Sequence, residues 1–263
     1  MNRTFINQLS LYKNRFYDHL AKRVGGCVLC GRSTDPFTLS PRICERCAQT
    51  IGHPIAESEH FYRCHQCAHL MTTDEPLCGE CLTHPPKFDH SLAFADYNGQ
   101  LQHALLKFKF HRALHLAPFL ADALRYALHQ YAQHTTPDYV ILVPQITERL
   151  QQRGFHSLRL IMQQIDLHDI WTDRTPEYVP NALLRVHHNQ LQIHVKPDMR
   201  RKQVKGAFAL NAGFLPQERH VLVIDDIITT GATLNEIAHT LKKSGAQRVD
   251  NVLIARTTKG TNA

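Results

Sequence analysis

Long apolar runs are missing from this 263-residue sequence, and none approaches the roughly 20 residues that a membrane-spanning helix needs. An export signal is not expected either, because charged residues interrupt any apolar segment near the N-terminus: Arg3, Lys13, Arg15 and Asp18. Apolar side chains recur there at helical spacing instead, at Phe5, Leu9, Tyr12, Phe16 and Leu20. This spacing predicts an amphipathic helix within residues 1–24. We therefore expect a cytoplasmic protein without membrane insertion.

Cysteine does not occur outside four C-x-x-C pairs, and these comprise all eight cysteines: Cys27, Cys30, Cys44, Cys47, Cys64, Cys67, Cys78 and Cys81. A two-residue spacer lets two thiolates bind one tetrahedral ion, so two pairs complete a four-sulfur site. The same unit occurs twice, at 27–47 and 64–81, which indicates an internal duplication. Gly31 follows the second cysteine, where a positive φ is expected. The spacing predicts a double zinc-ribbon domain over 25–88 with two structural Zn²⁺ ions.

Two other uses of these cysteines are less compatible with the sequence. A disulfide framework is disfavoured in a protein without an export signal, because the cytosol keeps thiols reduced. An iron–sulfur cluster also takes four thiolates, but its usual sequences space the cysteines less evenly. The pairing stays open, since sequential sites and a cross-braced arrangement satisfy the same chemistry. Four sulfurs per ion leave no open coordination position, so no catalysis is expected at these sites.

The net charge is +7, and 19 histidines add positive charge under mild acid. This excess favours polyanions such as nucleic acid, or small phosphorylated ligands. It is equally compatible with a generally basic surface without a specific partner.

The sequence after the cysteine region alternates between strand and helix patterns. The prolines in 83–86 indicate a boundary, which we place between residues 88 and 89. Apolar spacing predicts helices within 101–108, 118–131, 147–165 and 233–244, and apolar runs predict strands at 138–144, 221–224 and 249–255. Strands that alternate with helices are typical of an α/β protein with a doubly wound parallel sheet. We assign this fold to residues 89–263.

The segment 221–233 indicates a phosphate site at the end of a buried strand. Val221–Ile224 is followed by Asp225 and Asp226, then by a short loop and a helix. Ligands bind at the carboxyl ends of strands in such sheets. The candidate phosphate-binding residues are Thr229, Thr230, Gly231, Ala232 and Thr233, at a helix N-terminus. The two carboxylates can bind a ribose diol directly or through Mg²⁺. The segment resembles the phosphoribosyl diphosphate signature of the type I phosphoribosyltransferase fold.

The chain as a whole resembles the ComF family of competence-associated proteins, also called ComFC or GntX-like. The resemblance rests on ordered blocks: Cys78–Cys81, Pro85–Pro86, Leu106–Phe110, Val143–Pro144, Arg149–Phe155, Leu183–Arg185, Gln192, Arg201, Val204–Phe208 and the segment 221–233. It implies a zinc-ribbon module before a phosphoribosyltransferase domain, and a role in natural transformation. Single-stranded DNA and DNA-uptake and recombination proteins would then be partners, with phosphoribosyl diphosphate or ribose 5-phosphate as ligand.

The resemblance also implies roles for two further segments. The turn after the strand 138–144, with Pro144 and Gln145, would bind pyrophosphate. The chain departs from the family there, since Gln145–Thr147 replaces Pro-Leu-His, and it departs again at His156–Ser157 and at Gln203. A loop near 196–205 would close over the diphosphate or bind DNA, and its basic residues are Lys196, Arg200, Arg201, Lys202 and Lys205. The catalytic candidates are Lys196, Arg200 and Arg201.

Three functions remain compatible with these patterns. The first is a competence accessory that binds single-stranded DNA and a phosphoribosyl ligand. The second is an active transferase that moves phosphoribose to a base or amine, although no hood insertion is present in the sequence unless the zinc module takes that place. The third is a regulator that senses phosphoribosyl diphosphate. Candidate DNA contacts are Lys107, Lys109, Arg112, Arg149, Arg153, Lys202 and Lys205, with Phe108, Phe110 and Phe155 as stacking or core residues.

Overall fold

A computed structural model describes residues 26–34, 40, 42–51, 54, 62–186 and 204–258. The predicted helix within 1–24 and the basic residues Lys196, Arg200, Arg201 and Lys202 lie outside the described residues, as does Gln203. Within the described part of the chain, no helix combines the length and the apolar character needed to cross a membrane.

The two cysteine units share one local architecture. In the first, the Gly31 N–H donates to the Cys27 carbonyl at 2.7 Å; in the second, the Ala68 N–H donates to the Cys64 carbonyl at 2.8 Å. Gly31 and Ala68 both have positive φ, 77° and 57°. The later cysteines of each unit lie on short helices, α1 (Glu45–Ala48) and α2 (Gly79–Thr83). The second unit adds the antiparallel strands β1 (Tyr62–Arg63) and β2 (Leu70–Met71). This repetition agrees with the predicted duplication.

Five parallel strands form the main sheet in the order β3-β9-β8-β4-β5. Their bounds are β3 (His90–Asp96), β4 (Tyr139–Leu142), β5 (Glu177–Val179), β8 (His220–Ile228) and β9 (Arg248–Arg256). A separate antiparallel hairpin consists of β6 (Leu183–Arg185) and β7 (Phe208–Leu210). The predicted parallel α/β sheet is therefore confirmed, and its first strand begins at His90, just after the predicted boundary.

Helices connect most of these strands along the chain. They are α3 (Gly99–Phe110), α4 (Ala117–Ala132), α5 (Thr147–Arg153), α6 (Ser157–Met162) and α7 (Ala232–Lys243), with a 3₁₀ turn at Leu114–Leu116 before α4. Pro118 lies in the first turn of α4, where its missing N–H costs no helical hydrogen bond. Every residue of β9 after Arg248 is buried, and both α4 and α7 pack on this strand. Burial of successive side chains means that the sheet is covered on both faces.

Two predicted boundaries were wrong. The single helix expected over 147–165 is divided at Gly154, which has φ 79° and ends α5 as its left-handed cap. The strand expected over 221–224 runs from His220 to Ile228 and includes the two aspartates, because β9 stays in register beside it as far as Ile228. The sequence patterns also left β3 unpredicted, although it lies at the edge of the main sheet.

The cysteine units contact the sheet domain at defined points. In the first unit, Ser40 Oγ donates to Asp122 Oδ2 of α4 at 2.7 Å, and Arg42 forms an ion pair with the same carboxylate. The Thr50 carbonyl of this unit lies against Gly99, the first residue of α3. In the second unit, Arg63 donates to Asp96 at the end of β3, at 2.9 Å. Both units are thus fixed to elements that surround the carboxyl edge of the sheet.

Candidate functional site

The acidic pair Asp225 and Asp226 extends beyond the neighbouring strand β4. Pairing of β8 with β4 ends at Leu142 and Ile224, whereas pairing with β9 continues to Ile228. The two carboxylates therefore lie in the last part of β8, at the carboxyl end of the sheet, where parallel α/β folds bind ligands. The structure places them where the sequence predicted, but on strand backbone and not in a loop.

A lysine from α3 neutralises part of this charge. Lys109 Nζ lies 2.7 Å from Asp226 Oδ2, and the two side chains are only 12% and 16% exposed. Asp225 accepts a hydrogen bond from the Asp226 backbone N–H at 2.8 Å. Dense packing and the neighbouring charge of Asp226 raise the pKa of Asp225 to about 8, while Lys109 opposes the shift. The environment of the pair therefore disfavours two free carboxylates: Asp226 is ion-paired, and the charged form of Asp225 is destabilised.

The loop after β8 provides the backbone geometry of an anion site. Gly231 has φ 75° and precedes the first residue of α7. The positive φ favours glycine at this position, whereas an added methyl group would make only ordinary van der Waals contacts with Phe88 and Ile228. Ala232 N–H donates to Thr230 Oγ1 at 3.4 Å, while Thr229 is exposed. The first turn of the 12-residue helix α7 points its N–H groups at this loop.

The turn after β4 lies beside the acidic pair, because the Val143 N–H donates to the Ile224 carbonyl at 3.1 Å. Pro144 and Gln145 follow directly and are half-buried. Gln145 Oε1 is buried without a hydrogen-bond partner among the described residues. An amide in this position can accept from a ribose hydroxyl or a metal-bound water, or donate to a phosphate in the flipped orientation.

Two residues near the acidic pair were not predicted as site residues. Burial and the charge of Asp226 raise the pKa of Tyr97, which follows β3. Burial and the charge of Arg159 lower the pKa of His156 to about 4, so its ring is neutral. Its Nδ1 accepts the Arg159 N–H at 3.3 Å, which leaves the proton on Nε2 as a donor. For His156, the departure from the family pattern was the sequence signal that could have identified it as a site residue. Nothing in the sequence singled out Tyr97.

The cysteines form two four-sulfur clusters, one from Cys27, Cys30, Cys44 and Cys47 and one from Cys64, Cys67, Cys78 and Cys81. The sequential pairing is thereby selected over the cross-braced one. Cys30 and Cys44 Sγ lie 3.6 Å apart, and Cys67 and Cys78 Sγ lie 3.7 Å apart. A tetrahedral ion with metal–sulfur distances of about 2.3 Å spaces its ligands by about 3.8 Å. The sulfur atoms of each cluster all lie within 4.8 Å of one another, so each cluster could hold a metal ion.

The predicted basic and aromatic contacts are found in different environments. Lys107, Arg112, Arg149 and Lys205 are exposed, whereas Lys109 pairs with Asp226 and Arg153 is buried. Phe108 is a core residue, and Phe155 is half-buried with its ring centre 5.3 Å from that of Phe108. Phe110 is 63% exposed. The Arg153 guanidinium lies 5.1 Å from the Phe110 ring centre.

This chain is similar to a domain family, to curated proteins of related sequence and to solved structures. Residues 184–262 match the model of the phosphoribosyl transferase domain family. The solved structure of the purine phosphoribosyltransferase of Pyrococcus horikoshii is similar to part of this chain. The alignment covers 52% of this chain and 83% of the transferase chain, at 16% identity and a TM-score of 0.30.

Two curated relatives align over most of both chains. The DNA utilization protein YhgH of Salmonella typhimurium is 30% identical over 240 residues, which is 89% of this chain and 97% of the relative. Competence protein F of Haemophilus influenzae is 30% identical over 219 residues, 81% of this chain and 90% of the relative. Together with the two cysteine clusters and the parallel sheet, these alignments show that the chain belongs to the ComF family of competence-associated proteins with a phosphoribosyltransferase fold.

Proposed function

We propose that this protein is an accessory of DNA uptake or DNA utilization that binds a phosphoribosyl diphosphate-type ligand with Mg²⁺ at the end of β8. The observation that supports this most directly is the combination of an acidic pair, a glycine-hinged loop and the N-terminus of α7 at one edge of the sheet. The names of the relatives, a DNA utilization protein and a competence protein, support the cellular role.

Each proposed ligand contact uses a chemically matched group. The loop 229–233 would bind the 5′-phosphate through backbone N–H groups and threonine hydroxyls. Asp225 and Asp226 would bind the ribose diol and Mg²⁺, for which carboxylates are favoured ligands. Pro144 and Gln145 would line the pyrophosphate position. Binding of the cation would displace Lys109 from Asp226, and its released ammonium group would then be available to a phosphate oxygen.

Titration calorimetry with phosphoribosyl diphosphate and Mg²⁺ tests the ligand assignment. The double variant Asp225→Asn with Asp226→Asn should lose binding by at least about tenfold while keeping the fold, because amides cannot bind Mg²⁺ as ionised carboxylates do. Asp173→Asn, an exposed acidic residue elsewhere, is the matched control and should bind as the parent does. Equal affinity in the double variant and the parent would contradict the assignment.

We infer that zinc is the metal of both cysteine clusters, since tetrahedral thiolate sites favour this ion over other available metals. The hydrogen bond with Cys67 lowers the pKa of Cys64, whereas the same hydrogen bond and burial raise the pKa of Cys67. A bound cation would favour the thiolate form of all four cysteines, which is the form that binds zinc.

We also propose that single-stranded DNA binds beside the C-terminal end of α3. Phe110 presents an exposed ring, and Arg112 and Arg149 supply exposed cations nearby. Arg112 Nη2 donates to the Gln152 carbonyl at 3.0 Å, which holds this end of α3 close to α5. A groove of about 280 Å³ between the first cysteine unit and α3 adds Lys107, His103 and His115. An aromatic ring among cations is the usual arrangement for binding bases and phosphates of a single strand.

Gel-shift titration with an unstructured oligonucleotide at several salt concentrations tests this surface. Removal of one cation that neutralises a phosphate should reduce the log–log salt slope by about 0.7, so Arg112→Ser with Arg149→Ser should flatten it by about 1.4. Phe110→Ala should weaken binding by about 1–3 kcal/mol with little change in slope, because stacking does not release counterions. Tyr178→Ala, an exposed aromatic on β5, is the control. Absence of binding by the parent at low salt would remove the DNA role.

An active transferase is the second candidate, and one observation favours it. The second cysteine unit contacts the carboxyl edge of the sheet, where Arg63 donates to Asp96, and Arg256 links its Cys67 carbonyl to the end of β8. A cover at this edge would help to exclude water from a transferred ribosyl group. Release of pyrophosphate from phosphoribosyl diphosphate, measured over a panel of bases and amines, distinguishes a transferase from an accessory or a sensor of the diphosphate.

A further inference from the structure

A buried arginine joins the second cysteine unit to the proposed phosphate loop. Arg256 is the last residue of β9 and is 8% exposed. Its Nε donates to the Cys67 carbonyl at 3.0 Å. Its Nη1 donates to the Ile228 carbonyl at 3.1 Å and also to the Thr229 carbonyl. One guanidinium group therefore contacts both the turn between two metal ligands and the first residues of the loop.

The contacts to Ile228 and Thr229 determine where the loop N–H groups point. In a trans peptide the C=O and the following N–H point in opposite directions. Since Arg256 holds the carbonyls of Ile228 and Thr229, the N–H groups of Thr229 and Thr230 are turned away from Arg256. Thr257 strengthens this arrangement, because its N–H also donates to the Ile228 carbonyl, at 3.1 Å. The loop thus presents donors on the side where the anion would bind.

The other end of Arg256 depends on the cysteine unit. Cys67 lies in the turn that the Cys64 carbonyl closes through Ala68. This turn is held to β3 by the Ser91 N–H, which donates to the His65 carbonyl at 3.0 Å, and Gln66 Nε2 donates to the Phe88 carbonyl at 3.1 Å. A metal ion bound by Cys64 and Cys67 would fix the Cys67 carbonyl, and the carbonyl in turn fixes the guanidinium group.

We propose that Arg256 is a positioning residue that couples metal binding in the second cysteine unit to the affinity of the loop 229–233 for a sugar 5′-phosphate. This inference rests on the proposed phosphoribosyl ligand. Arginine is required because its fork reaches acceptors on two sides, whereas a lysine ammonium group can serve only one of them. Loss of metal from the second unit should loosen the loop without any change in the residues that contact the phosphate.

Affinity for ribose 5-phosphate and for Mg²⁺ pyrophosphate, measured by calorimetry on the full chain, tests the role of Arg256. Arg256→Lys should bind ribose 5-phosphate roughly tenfold more weakly, which corresponds to the loss of one well-oriented charge-assisted hydrogen bond. Affinity for pyrophosphate, which would bind at the turn after β4, should change less than twofold. A purely structural defect would weaken both ligands alike. Arg42→Lys, which alters the arginine that ties the first cysteine unit to α4, is the matched control and should leave both affinities unchanged.

The coupling to the metal is tested by a double-mutant cycle. Cys78→Ser alone should lower the metal content of the second unit and weaken the binding of ribose 5-phosphate. When Arg256→Lys is already present, Cys78→Ser should cause little further loss of affinity. Additive losses would overturn the coupling.

Hydrogen exchange of the peptide that contains Thr229 and Thr230 needs no ligand, and it should speed up in both single variants. Unchanged exchange in Arg256→Lys would overturn the positioning role. If the parent binds neither ligand, but exchange is still faster in the two variants than in the parent, only the proposed function is contradicted.

Discussion

Asp225 is a residue whose environment disfavours its charged form. Its carboxyl group lies in dense packing beside a second carboxylate, and these two effects raise its pKa from 3.8 to about 8. A carboxyl group with a raised pKa stabilises the fold most below its ordinary pKa, and this contribution is lost as the pH rises through the raised value. The folded protein should therefore lose stability between about pH 4 and pH 8 on account of this residue.

Replacement of Asp225 by Asn should stabilise the protein while it impairs the site. The amide cannot ionise, so the gain over the parent should grow with pH and be larger at pH 8.5 than at pH 5 by more than about 1 kcal/mol. Urea unfolding at the two pH values measures the difference. Asp173→Asn is again the control and should show no such pH dependence. Parallel stability curves for the parent and the Asp225 variant would contradict the shifted pKa.

Binding of Mg²⁺ with the ligand should release a proton from Asp225. The cation favours the ionised carboxylate, so affinity should rise as the pH increases from 7 to 9. Calorimetry in two buffers of different ionisation enthalpy measures the released proton, and Asp225→Asn should abolish the release. A pH-independent affinity with no proton release would show that Asp225 is already ionised or does not take part.

At the scale of elements, the sequence predicted those strands and helices whose apolar residues follow a regular pattern. The strands β4, β8 and β9 are rich in Val, Ile and Leu, and the helices α3, α4 and α7 have regular apolar faces, so all six were expected. By contrast, β3 contains His90, Ser91, two alanines and Asp96, which have low strand propensity. Its conformation comes from pairing with β9, a contact across more than half of the chain that local patterns do not encode.

The candidate site shows the same division. The loop 229–233 and the acidic pair were recognisable because they follow one another in the chain. Lys109 and Arg256 reach the site from α3 and from the end of β9, and the interaction of Lys109 with Asp226 was not predicted. A cation that ends a buried strand at the carboxyl edge is the signal that could have identified Arg256. Folding alone brings these side chains together.

The first cysteine unit packs closely against the start of helix α3, and a substitution at Gly99 tests this contact. Gly99 has φ 51°, and a methyl group there would overlap the Thr50 carbonyl oxygen. Gly99→Ala should cost about 2–4 kcal/mol, from backbone strain and the displaced contact together. Gly154→Ala is the control, since its φ is 79° with no atom near the added methyl group, and it should cost only about 1–2 kcal/mol. Denaturant unfolding measures both losses of stability. Equal losses in the two variants would show that Thr50 moves away from the added methyl group at no cost in free energy.

For the molecule as a whole, the two cysteine clusters predict two zinc ions per chain. Elemental analysis of the purified protein measures this number; one ion, or iron in place of zinc, would contradict it. Removal of metal by a chelator should lower the free energy of unfolding by several kcal/mol, because the four cysteines of each unit would be left without the metal ion that holds them together. A lysine-to-alanine change at exposed Lys243 provides a stability control without effect on metal content.

The contact between Cys67 and Arg256 also has a consequence for biosynthesis. The two residues are separated by 189 positions in the chain. At roughly 5–20 residues per second, a ribosome needs on the order of 10–40 seconds to extend the chain from one to the other. Throughout that interval the second cysteine unit has been made together with its partners on β3, but the strand that carries Arg256 has not. We therefore expect the second unit to acquire metal early in translation and to complete its docking only after β9 emerges. A transcript truncated before Arg248 would yield a nascent chain whose second unit can bind metal but lacks the contact with Arg256.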